Sequence, residues 1–124
     1  MNWLRNLQII HEIKRLKNTT TWSLEGWLIG WREEKSLRQW VGLNVASWIV
    51  MIVLGFDMYQ AALLVALGGL VVIVELINSS IEATVDYVST DRHPLAKKAK
   101  DVASAAVFAT ALLWLAVWGM MLFA

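Results

Sequence analysis

Residues 59–78 read YQAALLVALGGLVVIVELIN, and nothing in that stretch is charged before Glu75. The hydrocarbon core of a bilayer is about 30 Å thick and takes about 20 mostly apolar residues at about 1.5 Å of rise each. The stretch meets both requirements and predicts a transmembrane helix. Two other segments qualify. One runs over about 37–56 and contains WVGLNVASWIVMIVLGF; the other runs over about 102–124 and has no charge at all. Only Asp57 and Met58 stand between the first two spans, which predicts a tight antiparallel hairpin. The fold class expected is therefore an all-α integral membrane protein with three transmembrane helices per protomer.

Composition agrees. Of 124 residues, 58% are hydrophobic and 17% charged, against about 45–50% and about 25% in an ordinary soluble domain. Between Gln39 and Val74 the only charge is Asp57. With no cysteine and a net charge of +1, neither a disulfide-stapled scaffold nor a nucleic-acid-binding surface is indicated. No small-residue cleavage site follows an N-terminal apolar run, so no signal peptide is expected.

The cations set an orientation. Arg5, Lys14, Arg15, Lys17, Arg32, Lys35 and Arg38 precede or open the first span; Arg92, Lys97, Lys98 and Lys100 lie between the second and third. None stands at the Asp57 turn or beyond Asp101. The positive-inside rule then predicts a cytoplasmic N-terminus, a cytoplasmic 79–101 segment and an outward C-terminus.

Residues 1–36 read as a separate N-terminal region of amphipathic surface helices, followed by a transmembrane domain over 37–124. Trp3, Leu7, Ile9, Ile10, Ile13 and Leu16 share one half of a helical wheel opposite Arg5, Gln8, Glu12 and Arg15. Leu24, Trp27, Leu28 and Trp31 repeat at helical spacing. Tryptophan beside basic residues suits a helix lying in the headgroup layer. Between the two patterns, Asn18 to Thr21 (NTTT) is expected to break the helix.

The second span carries its polar residues at one end. Glu75, Asn78, Glu82 and Asp86 are spaced three, four and four apart, so they occupy an arc of about 80° on a helix. Glu75 lies about 24 Å beyond Tyr59, just inside the apolar boundary, and Glu82 about 10 Å further on. A carboxylate at mid-membrane costs about 2.5–3.5 kcal/mol and less near the edge, so it is retained where it is paired, protonated or useful. Taken alone, Glu75 fits a protonated acid or an interhelical hydrogen bond, and Asp86 a solvated charge.

The third helix brings the opposite sign. Pro94 suits a first helical turn. Lys97, Lys100, Asp101 and Ser104 share a face that runs on into Ala103, Ala105 and Ala106, small residues that permit close packing in lipid. Glu33 and Glu34 precede the first span at the depth of Glu82. Mg²⁺ prefers a carboxylate or two, completed by water and phosphate. An acid at the membrane edge, metal-capable carboxylates outside it and a lysine for phosphate together indicate phosphoryl transfer to a lipid hydroxyl, a reaction that needs mainly positioning and charge neutralisation. No phosphate-binding glycine loop is present; Gly68 and Gly69 read as close-packing positions.

From ELINSSIEATVD (75–86) and HPLAKKAKDVASAAV (93–107), the sequence resembles the small integral membrane diacylglycerol kinases of bacteria, a family that includes the undecaprenol kinases. The resemblance covers about residues 15–118. It implies a homotrimer in the bacterial inner membrane, with composite sites between protomers, ATP as phosphoryl donor and Mg²⁺ as cofactor. It implies catalytic roles for Glu75, as general base towards the lipid hydroxyl, and for Asn78, which orients it. Glu34 and Glu82 are the implied metal ligands. Arg15, Trp22, Ser23, Asp86, Asp91, Arg92, His93, Lys100 and Asp101 are implied on the nucleotide side. Arg15, Trp31, Arg38, Ser104 and Trp118 are implied on the lipid side.

The chain departs from the family pattern in two places. Trp22-Ser23-Leu24-Glu25-Gly26 stands where diacylglycerol kinases have Tyr-Ser-Trp-Lys-Gly, and Trp40 stands where they have an acid after Arg-Gln. The expected reaction is conversion of diacylglycerol to phosphatidic acid, with undecaprenol as the alternative acceptor. A rival of another class, a proton- or ion-conducting assembly, requires acids crossing the bilayer, whereas the acids here cluster at one boundary. A non-catalytic adaptor leaves Glu75 facing Lys100 without a purpose.

Overall fold

The computed structural model describes residues 2–123, apart from the side chains of Asn2 and Leu4. Met1 and Ala124, which end the expected N-terminal region and third span, lie outside the described residues. Four helices follow in order: α1 (Asn2–Glu33), α2 (Lys35–Leu54), α3 (Met58–Val88) and α4 (Pro94–Phe123). Among the described residues there is no strand. The chain divides into two compact units between Glu33 and Glu34.

The first unit is one continuous helix. The break expected at Asn18–Thr21 does not occur. The hydroxyls of Thr19, Thr20, Thr21 and Ser23 donate to the carbonyls four residues back, at 2.9–3.0 Å. These side chains can nucleate a turn by bonding to backbone. Here they are satisfied within the helix and leave its own ladder intact.

In the second unit α3 is central and packs on both α2 and α4. Helices α2, α3 and α4 are 20, 31 and 30 residues long and apolar enough to cross a membrane, so the chain is a multi-pass membrane protein. At about 1.5 Å per residue α3 is roughly 46 Å long. It therefore outruns the hydrocarbon and carries Glu82 and Asp86 beyond it on regular helix.

The hairpin between α2 and α3 is built from Gly55, Phe56 and Asp57. Gly55 has φ +70°, the left-handed conformation that ends many helices. Asp57 caps α3: its Oδ1 accepts from the backbone N–H of Tyr59 (2.8 Å) and Gln60 (2.9 Å). Gln60 Oε1 in turn accepts from the N–H of Asp57 at 3.0 Å, completing a capping box. The acid at the hairpin is thus a helix cap.

Met51, Leu64, Val71, Val107, Ala111 and Trp114 form the core. One polar contact crosses it. Asn44 is buried, and its Nδ2 donates to the carbonyls of Trp40 (3.0 Å) and Gly68 (3.1 Å). A Cβ at position 68 would lie 2.1 Å from Asn44 Oδ1, so α2 and α3 approach this closely only over glycine. Gly69, expected to share that role, faces open space.

At the other end, Ser89 closes α3 and Pro94 opens α4. His93 Nδ1 accepts from the N–H of Leu95 at 3.1 Å, occupying an orphan donor of the first turn. The N–H of Asp91 donates to Ser89 Oγ at 3.0 Å and tightens the loop.

Candidate active site

Two cavities lie at the end of the bundle where α3 turns into α4. The one at the apolar edge has a volume of about 390 Å³ and takes walls from all three helices. Glu34, Ser36 and Trp40 come from the start of α2, and Glu75, Asn78 and Glu82 from one face of α3. Ser104, Val107 and Phe108 come from α4. Glu34 is the N-cap of α2, yet its side chain makes no capping bond, so its carboxylate is not spent on the helix terminus.

Glu75 is 4% exposed and Asn78 is buried beside it. The Ser36 hydroxyl donates to Glu75 Oε1. Asn78 Nδ2 donates to Glu82 Oε1 at 3.3 Å, while Asn78 Oδ1 is buried with no hydrogen-bond partner. A buried polar atom left unpaired costs about 1–3 kcal/mol. An unpaired oxygen next to two carboxylates suits a hard cation or the hydrogen of a substrate. Among the described residues no three acidic, histidine or cysteine side chains form a ready-made metal cage. Mg²⁺ does not need one, since water and phosphate oxygens complete its shell. The donor set Glu34, Glu82 and Asn78 Oδ1 is chemically suited to it.

The second cavity, of about 670 Å³, lies between the C-terminal end of α3 and the N-terminal end of α4. Asp86, Asp91, Arg92, His93, Lys100 and Asp101 line it. Lys100 Nζ is 2.6 Å from Asp86 Oδ1 and ties α3 to α4. Asp101 pairs with Lys97 on its own helix. The Lys97–Asp101 pair is open to solvent and the Lys100–Asp86 pair partly so, and such pairs contribute little to stability. What they do is hold mixed charge around the cavity mouth.

The structure therefore brings Glu34, Glu75, Asn78, Glu82 and Ser104 into one cavity, and the six expected nucleotide-side residues of the α3–α4 end into the other. Arg38 lies on the first turns of α2 and lines neither. Trp118 is elsewhere. Its Nε1 donates to Ser47 Oγ at 3.0 Å and its ring sits 5.4 Å from that of Phe56, next to the hairpin end. It helps to close the far end of the bundle and does not reach the Glu75 cavity. The remaining expected residues belong to α1: Arg15 pairs with Glu12 at 2.9 Å, Ser23 bonds to Thr19, and Trp22 and Trp31 are exposed.

Ser36, Trp40, Val107 and Phe108 were not anticipated. Phe108 lies four residues after Ser104 on the same helix face, so spacing alone could have suggested it. The Ser36 contact joins residues 39 apart in sequence, and no local pattern signals it.

A buried acid lining a cavity at the edge of an apolar bundle, with a charged cavity at the same end, defines a class: a membrane-embedded kinase for lipid. Residues 21–122 match the family described as prokaryotic diacylglycerol kinase, and the chain belongs to that family. It is 46% identical over 110 residues to a diacylglycerol kinase of Pseudomonas aeruginosa, covering 89% of each chain. Over 111 residues it is 43% identical to one of Helicobacter pylori, covering 90% of this chain and 87% of the other. The Escherichia coli diacylglycerol kinase is 32% identical over 108 residues, covering 87% of this chain and 88% of that one. Arg15 lies outside the matched family segment.

Proposed function

We propose that the protein transfers the γ-phosphoryl group of ATP to the hydroxyl of diacylglycerol, giving phosphatidic acid and ADP. The observation that carries this reading is the burial of Glu75 in a cavity shared with Glu34, Asn78 and Glu82, at the membrane edge of the bundle. The acyl tails stay in hydrocarbon while the glycerol hydroxyl enters beside Ser104 and Phe108.

Glu75 accepts the hydroxyl proton as the oxygen attacks the γ-phosphorus. The bond from that phosphorus to the β–γ bridging oxygen breaks, and ADP leaves with the electron pair. Positioned general bases contribute about 10²–10⁴-fold, and Asn78, buried one turn along α3 from Glu75, orients the lipid hydroxyl towards it. Glu34 and Glu82 would hold Mg²⁺, which would supply charge neutralisation for the phosphates. Lys100 and Arg92 offset the charge that develops on the transferring group and the leaving ADP. Asp86, Asp91, His93 and Asp101 frame the nucleotide, and Arg15, Trp22 and Ser23 take the nucleotide-side roles that the family resemblance implies for them. Trp31 and Arg38 contact lipid.

The assembly is a homotrimer with sites shared between protomers. It lies in the inner membrane with the N-terminus and the α3–α4 loop cytoplasmic, and residues 1–36 rest on the membrane surface ahead of the transmembrane kinase domain. The test is purified protein in mixed micelles with labelled MgATP, offered diacylglycerol and undecaprenol in parallel. Label in phosphatidic acid is expected. Label only in the polyprenol reassigns the acceptor, and label in neither rejects the kinase reading.

A further inference from the structure

We propose that Ser36 is a positioning residue for the Glu75 carboxylate, a role that rests on the reading of Glu75 as general base. Its hydroxyl donates to Glu75 Oε1 across the α2–α3 interface. A carboxylate offers two oxygens and about four lone-pair directions, and rotation about its terminal torsion is broad and roughly two-fold. A donor held on Oε1 stops that rotation and leaves Oε2 as the oxygen that meets the lipid hydroxyl. With Glu75 only 4% exposed, water is poorly placed to do the same.

Ser36 reaches Glu75 through a register fixed elsewhere. It occupies the first turn of α2, two residues after the Glu34 cap. Eight residues further along α2, Asn44 donates to the carbonyl of Gly68, which precedes Glu75 by seven residues on α3. At about 1.5 Å per residue these separations are roughly 12 Å and 10.5 Å. On antiparallel helices joined by a three-residue hairpin, the two bonds are rungs of one ladder. The Asn44 rung resists sliding, because the space above Gly68 is filled by Asn44 Oδ1 and by Trp114. The core thus delivers the serine to the base, while Glu34, in the same turn of α2, faces the same cavity.

The test compares wild type, Ser36→Ala, Ser36→Thr, Glu75→Gln and the Ser36→Ala/Glu75→Gln pair in the same micelles. Misplacing a catalytic group by about an ångström costs up to about 100-fold. Ser36→Ala is therefore expected to lose about 10- to 100-fold in kcat, with KM for ATP and lipid within about twofold of wild type. Ser36→Thr, which keeps the hydroxyl, recovers most of the loss, and thermal midpoints in detergent stay together. In the Glu75→Gln background, Ser36→Ala produces no further loss, because the group it positions is gone. Wild-type kcat in Ser36→Ala overturns the proposal, as does equal impairment of the Ala and Thr variants. A raised kcat in Ser36→Ala also overturns it, by showing that Ser36 competes with the lipid hydroxyl. Activity retained in Glu75→Gln sinks the base assignment itself. An inactive Glu75→Gln with an unimpaired Ser36→Ala sinks only the role of the serine.

Discussion

Glu75 and Glu82 are seven residues apart on one helix face, yet they sit in different surroundings, and the roles proposed for them differ accordingly. Glu75 is buried and held by Ser36; Glu82 is half-buried and accepts from Asn78. Their substitutions should separate. Glu82→Gln keeps the size and the hydrogen bond from Asn78 but removes the charge a divalent cation needs. It is expected to raise the Mg²⁺ concentration for half-maximal rate by about tenfold, within the 10–100-fold that altered metal-site groups typically cost. A titration of rate against Mg²⁺ at saturating ATP checks this, and an unchanged midpoint removes Glu82 from the metal site. The alignment of Glu75, Asn78 and Glu82 was legible in the sequence because helical spacing alone puts them on one face. Ser36 was not, because its partner is chosen by how α2 docks on α3. The same limit hid the position of Trp118, whose family resemblance says nothing of the Ser47 and Phe56 side chains that hold it.

At the scale of elements, the capped hairpin and the glycine contact keep α2 and α3 in register. Gly55 at φ +70° is the one residue with positive φ among those described. Gly55→Ala forces a Cβ into the left-handed region and is expected to cost about 1 kcal/mol. Asp57→Ala removes a capping box and costs a similar amount, about 1 kcal/mol. Both should lower the thermal midpoint in detergent while KM for ATP stays put, because the cavity proposed for the nucleotide is at the opposite end of α3. A rise in KM for ATP without loss of stability contradicts that separation. The spans were readable from apolar length, but the run Asn18–Thr21 misled. Threonine and serine favour breaks by bonding to backbone, and here the same bonds run backward along a helix that does not stop. Composition names the bonding groups without saying in which direction they will bond.

Taken whole, the molecule gathers its proposed catalytic residues at one end of an apolar bundle, and the distribution of its cations predicts that this end faces the cytoplasm. The chain contains no cysteine, so single cysteines report topology without background. Met58→Cys at the hairpin is expected to react with an impermeant maleimide applied to spheroplasts. Ser89→Cys in the α3–α4 loop is expected to react only after the membrane is opened. The reverse pattern contradicts the orientation and would place the kinase end away from cytoplasmic ATP.

The central claim is that a buried carboxylate takes the proton from a lipid hydroxyl as phosphate arrives. The most direct test is transfer of labelled phosphate from MgATP to diacylglycerol by purified wild-type protein and by Glu75→Gln, with nucleotide binding measured on both. Wild type should label phosphatidic acid. Glu75→Gln should bind nucleotide with nearly unchanged affinity and lose about 10²–10⁴-fold in turnover. Near-wild-type turnover in Glu75→Gln would contradict the account.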